Sequence, residues 1–135
     1  MNLYNKSQIK YSYKLNQPNS ILRKGTYGIK SLSFGRLTEK QLVFLEKMII
    51  KTSRQIIKSK KSIKIWNKVV LNFSLTKLSS ESRMGKGKGV IYTQGVFVKS
   101  GSILFEFESC LDQQAQFILN KVNKFSSLKL ILIKR

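Results

Sequence analysis

The sequence predicts an α+β domain built from a mostly antiparallel sheet and two helices, with an irregular basic tail at its N-terminus. Three patterns carry this. Apolar residues recur at helical spacing over 39–58 and again over 111–124, they alternate at strand spacing over 90–98 and 102–108, and over 1–28 they show no period at all. With 135 residues, 41% of them hydrophobic, the chain can bury one modest core, which sets the expected boundaries at 1–28 for the extension and 29–135 for a single domain.

Taken in order, the tail holds Lys6, Lys10, Lys14, Arg23 and Lys24 among Tyr4, Tyr11, Tyr13 and Tyr27, with Pro18 the sole proline. Such a segment cannot bury enough apolar surface to fold alone, but its cations suit phosphates and its rings suit bases. Residues Ile29 to Phe34 read as a short strand ended by Gly35, and Lys30 and Arg36 add two cations around it. Thr38 followed by Gln41 is a capping box, so a helix starts at 39 and is expected to reach 58. Leu42, Leu45, Ile49 and Ile56 form its apolar stripe. Lys40, Lys47, Lys51, Arg54 and Lys58 fall on the opposite side, within about 60° of one another. A merely solvated face would mix signs for i, i+4 pairing; this one is almost purely cationic and suits a nucleic-acid backbone.

After a basic turn at 58–62, Ser62 to Phe73 reads as one strand, with Ile63, Ile65 and Val69 alternating against Lys64, Trp66 and Lys68. Trp66 fits a half-buried core position better than a base-stacking one. Ser74 to Ser82 reads as a polar connection, and Val90–Val98 and Ser102–Glu108 as two strands joined in a hairpin by Lys99-Ser100-Gly101. In the second of these, Ile103, Phe105 and Phe107 share one face while Leu104, Glu106 and Glu108 share the other, where the two glutamates are expected as surface charges. The helix at 111–124 aligns Leu111, Ala115, Ile118 and Val122, and its Gln- and Asn-rich outer face assigns it to the core. Leu128–Ile133 closes the order β-α-β, loop, β-β-α-β.

Charge directs the functional reading. Twenty-six Lys and Arg oppose six Asp and Glu, for a net charge of +20, which points to a polyanionic partner. The most distinctive stretch is Arg83, Met84, Gly85, Lys86, Gly87, Lys88 and Gly89, where cations sit on a backbone with glycine at every second position. Glycine there permits positive φ and close approach, so the loop can lie against phosphates. A nucleotide-hydrolysing loop needs Ser or Thr after its Lys to hold magnesium, and neither lysine has one. The chain has no His and one Cys, which removes the commonest general base and metal ligand; no enzyme, cofactor or metal site is expected. No apolar run is long enough to span a bilayer, and the N-terminus lacks the apolar core of a secretory signal. Cations spread over the tail, the first helix and the loop fit an enveloping RNA better than a flat membrane. A free-standing RNA- or DNA-binding module is the competing class.

These motifs carry a resemblance. Gly35-Arg-Leu-Thr38 ahead of the long helix, then Lys64-Ile-Trp66, then Arg83-Met-Gly-Lys-Gly-Lys-Gly89, followed by the strand at 103–106 and its helix, resemble the large-subunit ribosomal protein L-sixteen family in its bacterial and organellar form. The likeness runs from about Tyr27 to the C-terminus. It implies an α/β-hammerhead type of fold and binding to large-subunit rRNA near the peptidyl transferase centre. The loop at 83–89 would point toward A-site tRNA, neighbouring large-subunit proteins would be further partners, and no homo-oligomer would form. A mitochondrial ribosome is the expected location, with another organellar or a bacterial ribosome as the alternative. The family's usual Pro-Lys-Arg-Thr start is not recognisable here, several of its arginines around the first helix are replaced by or shifted to lysine, and the prolines before the glycine loop are missing.

Overall fold

The alternating and helical patterns settle into two antiparallel sheets and two helices in the computed structural model, which describes residues 20–57 and 63–135. Along the chain these are β1 (Tyr27–Ser31), β2 (Gly35–Thr38), α1 (Glu39–Ile56), β3 (Lys64–Asn67), β4 (Phe73–Lys77), β5 (Val90–Val98), β6 (Ile103–Glu108), α2 (Asp112–Phe125) and β7 (Leu130–Lys134). The four-stranded sheet has the order β3-β6-β1-β7 and the three-stranded sheet the order β2-β5-β4. One core joins both sheets to both helices through Ile29, Leu37, Leu45, Ile49, Val96, Phe105, Phe107, Ile118 and Val122.

The first helix follows its sequence signals. Thr38, the last residue of β2, is also the N-cap: its backbone N–H donates to Gln41 Oε1 at 2.9 Å and its hydroxyl oxygen accepts from the Gln41 N–H. Leu42, Leu45 and Ile49 are buried as the stripe requires. In α2, Ala115, Ile118, Leu119 and Val122 are buried, whereas Leu111 is the exposed N-cap rather than part of the stripe. Asn123 ties α2 to β7 by donating to the Leu130 carbonyl and accepting from its N–H, both at 3.1 Å.

Four expectations are corrected. The single strand over 62–73 is two shorter ones, β3 and β4, in different sheets, and β4 occupies the start of the supposed polar connection. An additional strand, β2, fills the interval before α1. The strands β5 and β6 do not pair as a hairpin: β5 lies between β2 and β4, while β6 lies between β3 and β1. Gly101 does take a left-handed conformation, at φ 88°, but the turn it makes carries the chain from one sheet to the other. Its N–H is held by the Ser31 carbonyl at 2.8 Å rather than by a hairpin partner.

The fourth correction concerns Glu106, which is fully buried. Gly28 and Glu106 are cross-strand partners and share the sheet face turned away from the helices. Residues 22–25 lie over that face. Leu22 is buried, and the Lys24 and Gly25 N–H groups donate to Glu106 Oε2 at 2.6 and 2.9 Å, with the Arg23 N–H at 3.3 Å. Lys68 Nζ completes the shell 3.3 Å from Oε1. Burial alone would push this carboxyl's pKa up, but the three N–H groups and the ammonium together hold it below the ordinary value. Residues 22–25, in the described end of the stretch expected to be an irregular tail, are therefore a strap bound to the sheet, and β1 begins at Tyr27. Glu108 is the glutamate that does sit near the surface, paired with Lys64 at 3.3 Å.

Candidate nucleic-acid interface

The glycine loop is the tip of the β4–β5 hairpin. Lys77 and Val90 are the last paired residues, so residues 78–89 project beyond the sheet. Arg83, Lys86 and Lys88 are all exposed there, and Met84 is 96% exposed. The glycines divide the work. Gly85 and Gly87 have φ of 85° and 99°, a region that L side chains avoid, and a Cβ on either would meet nothing within 4 Å. They shape the tip without packing it. Gly89 sits at the base, where a Cβ would lie 2.4 Å from the Lys77 carbonyl oxygen, so the two arms close only because it has none.

A second cationic surface is the outward side of α1. Lys40, Lys47, Lys51 and Arg54 are exposed, and Lys47, Lys51 and Arg54 border a shallow groove with Ile50 and Gln55. No acidic side chain lines that groove. Its members stand on successive turns, so their spacing follows a rod rather than a point.

A third feature is a cleft that sequence reasoning missed. It lies on the face of the three-stranded sheet turned away from the helices, holds about 360 Å³, and is lined by Arg36, Phe73, Ser74, Leu75, Thr76, Lys88 and Phe97. Arg36 and Phe97 are direct cross-strand partners and so project to the same side. Phe73 folds across Gly95, where a Cβ would come 2.9 Å from its Cζ, and stacks on Phe97 with ring centroids 4.6 Å apart. Of the residues singled out from sequence, the fold thus brings Arg36 and Lys88 to one cleft. A glycine opposite a phenylalanine was the available signal, but it becomes legible only once the register is known.

The remaining candidates scatter. Lys30 is half-buried in β1, an inner strand of its sheet, unlike the exposed loop and helix cations. Arg23 and Lys24 are exposed on the strap, fixed by their backbone contacts to Glu106. Lys10, Lys14 and Lys58 lie outside the described residues, as do Lys6, Tyr4, Tyr11 and Tyr13. No cluster of His, Cys, Asp or Glu fit to hold a metal occurs among the described residues. Cys110 is poorly placed for nucleophilic work: burial, with help from the Asp112 charge, pushes its thiol up to about 11. No helix among the described residues is long and apolar enough to cross a membrane.

Residues 2–130 match the family described as Ribosomal protein L16p/L10e. The chain belongs to that family. It is 40% identical over 134 residues to the "Large ribosomal subunit protein uL16m" of Chondrus crispus, covering 99% of this chain and 97% of the relative. It is also 34% identical over 110 residues to the uL16 protein of Sulfurihydrogenibium sp. (strain YO3AOP1), covering 82% of this chain and 75% of that one. The uL16 of Carsonella ruddii (strain PV) is 41% identical over 106 residues, 73% of this chain and 74% of the relative. As a member of the L16p/L10e family the chain is a structural, non-enzymatic constituent of the large ribosomal subunit.

Proposed function

We propose that this protein binds large-subunit rRNA near the peptidyl transferase centre and helps to position A-site tRNA, in a mitochondrial ribosome. The observation that carries the reading is the exposed tip formed by Arg83, Lys86 and Lys88, held away from the sheet on a hairpin whose base is tightly closed at Gly89. A slim tip with three cations, glycine at every second position and only the flexible Met84 side chain among them can enter a crevice between phosphates that a packed surface cannot reach. The cationic side of α1 supplies the second contact, along an RNA backbone. Neutralising crowded phosphates lets rRNA helices pack against each other, and the geometry asks for no chemistry beyond that. Similarity to the uL16m of Chondrus crispus over nearly the whole chain supports the mitochondrial assignment; another organellar or a bacterial ribosome is the alternative.

The test is the triple substitution Arg83→Gln, Lys86→Gln and Lys88→Gln. Subunit maturation or tRNA accommodation should be impaired, while the isolated domain keeps its stability to within about 0.5 kcal/mol because no core contact is lost. Binding of the pure protein to large-subunit rRNA should weaken with rising salt, and the triple variant should show a shallower salt slope. Ribosomes that assemble and accept tRNA normally with the triple variant would reject the role given to the tip.

A further inference from the structure

The cleft on the outer side of the three-stranded sheet differs from the other two cationic surfaces in kind. The hairpin tip and the α1 groove offer cations and aliphatic carbon but no aromatic ring, which suits a sugar–phosphate backbone. The cleft combines two cations, Arg36 and Lys88, with an apolar wall of Phe73, Phe97 and Leu75 and with two hydroxyl-bearing residues, Ser74 and Thr76. No acidic residue lines it. At about 360 Å³ it falls within the range of small-ligand sites, far larger than one ordered water needs. Its floor is also built at a cost to local freedom, since only glycine at 95 leaves room for the Phe73 ring.

We propose that this cleft receives a single unstacked nucleotide of the RNA. Its phosphate would lie between the Arg36 guanidinium and the Lys88 ammonium, and its base against the apolar wall of Phe73, Phe97 and Leu75. The charge decides the class of occupant: a cationic rim on a chain of net charge +20 selects a polyanion. The wall decides the form, because a phosphate alone gains nothing from aromatic and aliphatic carbon whereas a splayed base does. Paired bases are excluded, since a duplex hides its faces by stacking. Lys88 belongs to the hairpin and Arg36 to β2, so an occupant also links the tip's base to the strand that leads into α1. The proposal rests on the RNA-binding reading above and adds to it a base-reading site.

The experiment uses the full chain, with methyl- and aromatic-detected NMR and binding titrations at two salt concentrations. The probes are a single-stranded RNA oligonucleotide, heparin and polyglutamate. Single-stranded RNA should move the Leu75 methyl and Phe97 ring signals of the unsubstituted protein, while heparin and polyglutamate leave them in place. The double variant Arg36→Gln, Lys88→Gln should bind the oligonucleotide about tenfold more weakly than the charge-matched variant Lys124→Gln, Lys129→Gln, whose lysines are exposed away from all three cationic surfaces. The two variants should bind heparin alike. Equal loss in both variants, or Leu75 and Phe97 signals unmoved by RNA, or moved as far by polyglutamate, would overturn the base site. Salt-dependent RNA binding would then persist and leave the broader reading intact; its absence would sink that reading instead.

Discussion

The two sheets turn opposite sorts of face away from the helices. On the four-stranded sheet that face is closed by the chain itself: the strap at 22–25 lies across it, and the buried Glu106 collects three N–H donors and the Lys68 ammonium. On the three-stranded sheet the corresponding face keeps a cleft rimmed by Arg36 and Lys88. Both carry charge, but one is internally neutralised, while the cleft on the other is lined by two cations and no acid. A buried carboxylate is tolerated only with a full set of partners, so the first face is committed to holding the protein together. The second has charge left over for something outside the chain. In a molecule of net charge +20, three of the six acids, Glu106, Glu108 and Asp112, are held in ion pairs within the fold.

The largest expected effect lies on the closed face. Glu106→Ala should lose roughly 3–5 kcal/mol in chemical denaturation, because it strands Lys68 and three backbone donors together. Hydrogen exchange at residues 23–25 should rise even under conditions where the domain stays folded. Unchanged exchange there would mean the strap is held by Leu22 alone. Glu106→Gln keeps one acceptor and should cost less.

The same carboxylate sets an acid limit. Its folded pKa is below its unfolded one, so its contribution is fully present above the ordinary value of 4.5 and is lost as pH falls through the folded value. The unsubstituted protein should therefore lose stability below that point more steeply than Glu106→Gln, and parallel pH curves would remove Glu106 as the cause.

On the open face, Gly95→Ala brings a methyl into the Phe73 ring and should cost about 1–3 kcal/mol while changing the cleft's shape. RNA binding should then fall further than stability accounts for. Thr38→Ala, where β2 turns into α1, should cost about 1 kcal/mol through loss of the α1 cap. Smallest of all, Lys64→Ala removes an exposed partner of Glu108 and should shift stability by about 0–1 kcal/mol.

How much of this could be read from the sequence follows the same division. Both helices, the Thr38–Gln41 cap and the strands at 90–98 and 103–108 were legible because their signals are local: spacing, capping residues and alternation. The cationic hairpin tip was legible because glycine and lysine say enough by themselves. The pairing of strands was not. Nothing adjacent to Lys99-Ser100-Gly101 reveals that β5 and β6 part company, and the choice is made by distant partners such as Gly28, which faces Glu106 across the sheet. Glu106 looked like a solvent-facing residue because alternation gives a face but not what covers it. The cleft was hidden for a related reason, since Arg36, Phe73, Lys88 and Phe97 meet only after three strands have found their register.

The position of β1 has a consequence for how the molecule comes into being. Its two neighbours are β6 and β7, and just ahead of it the Thr26 carbonyl accepts from the Arg135 N–H at 2.9 Å. A ribosome making this chain delivers β1 well before either flank, so the strand must wait without a partner until β6 is made, and on its second side until translation of β7 is done.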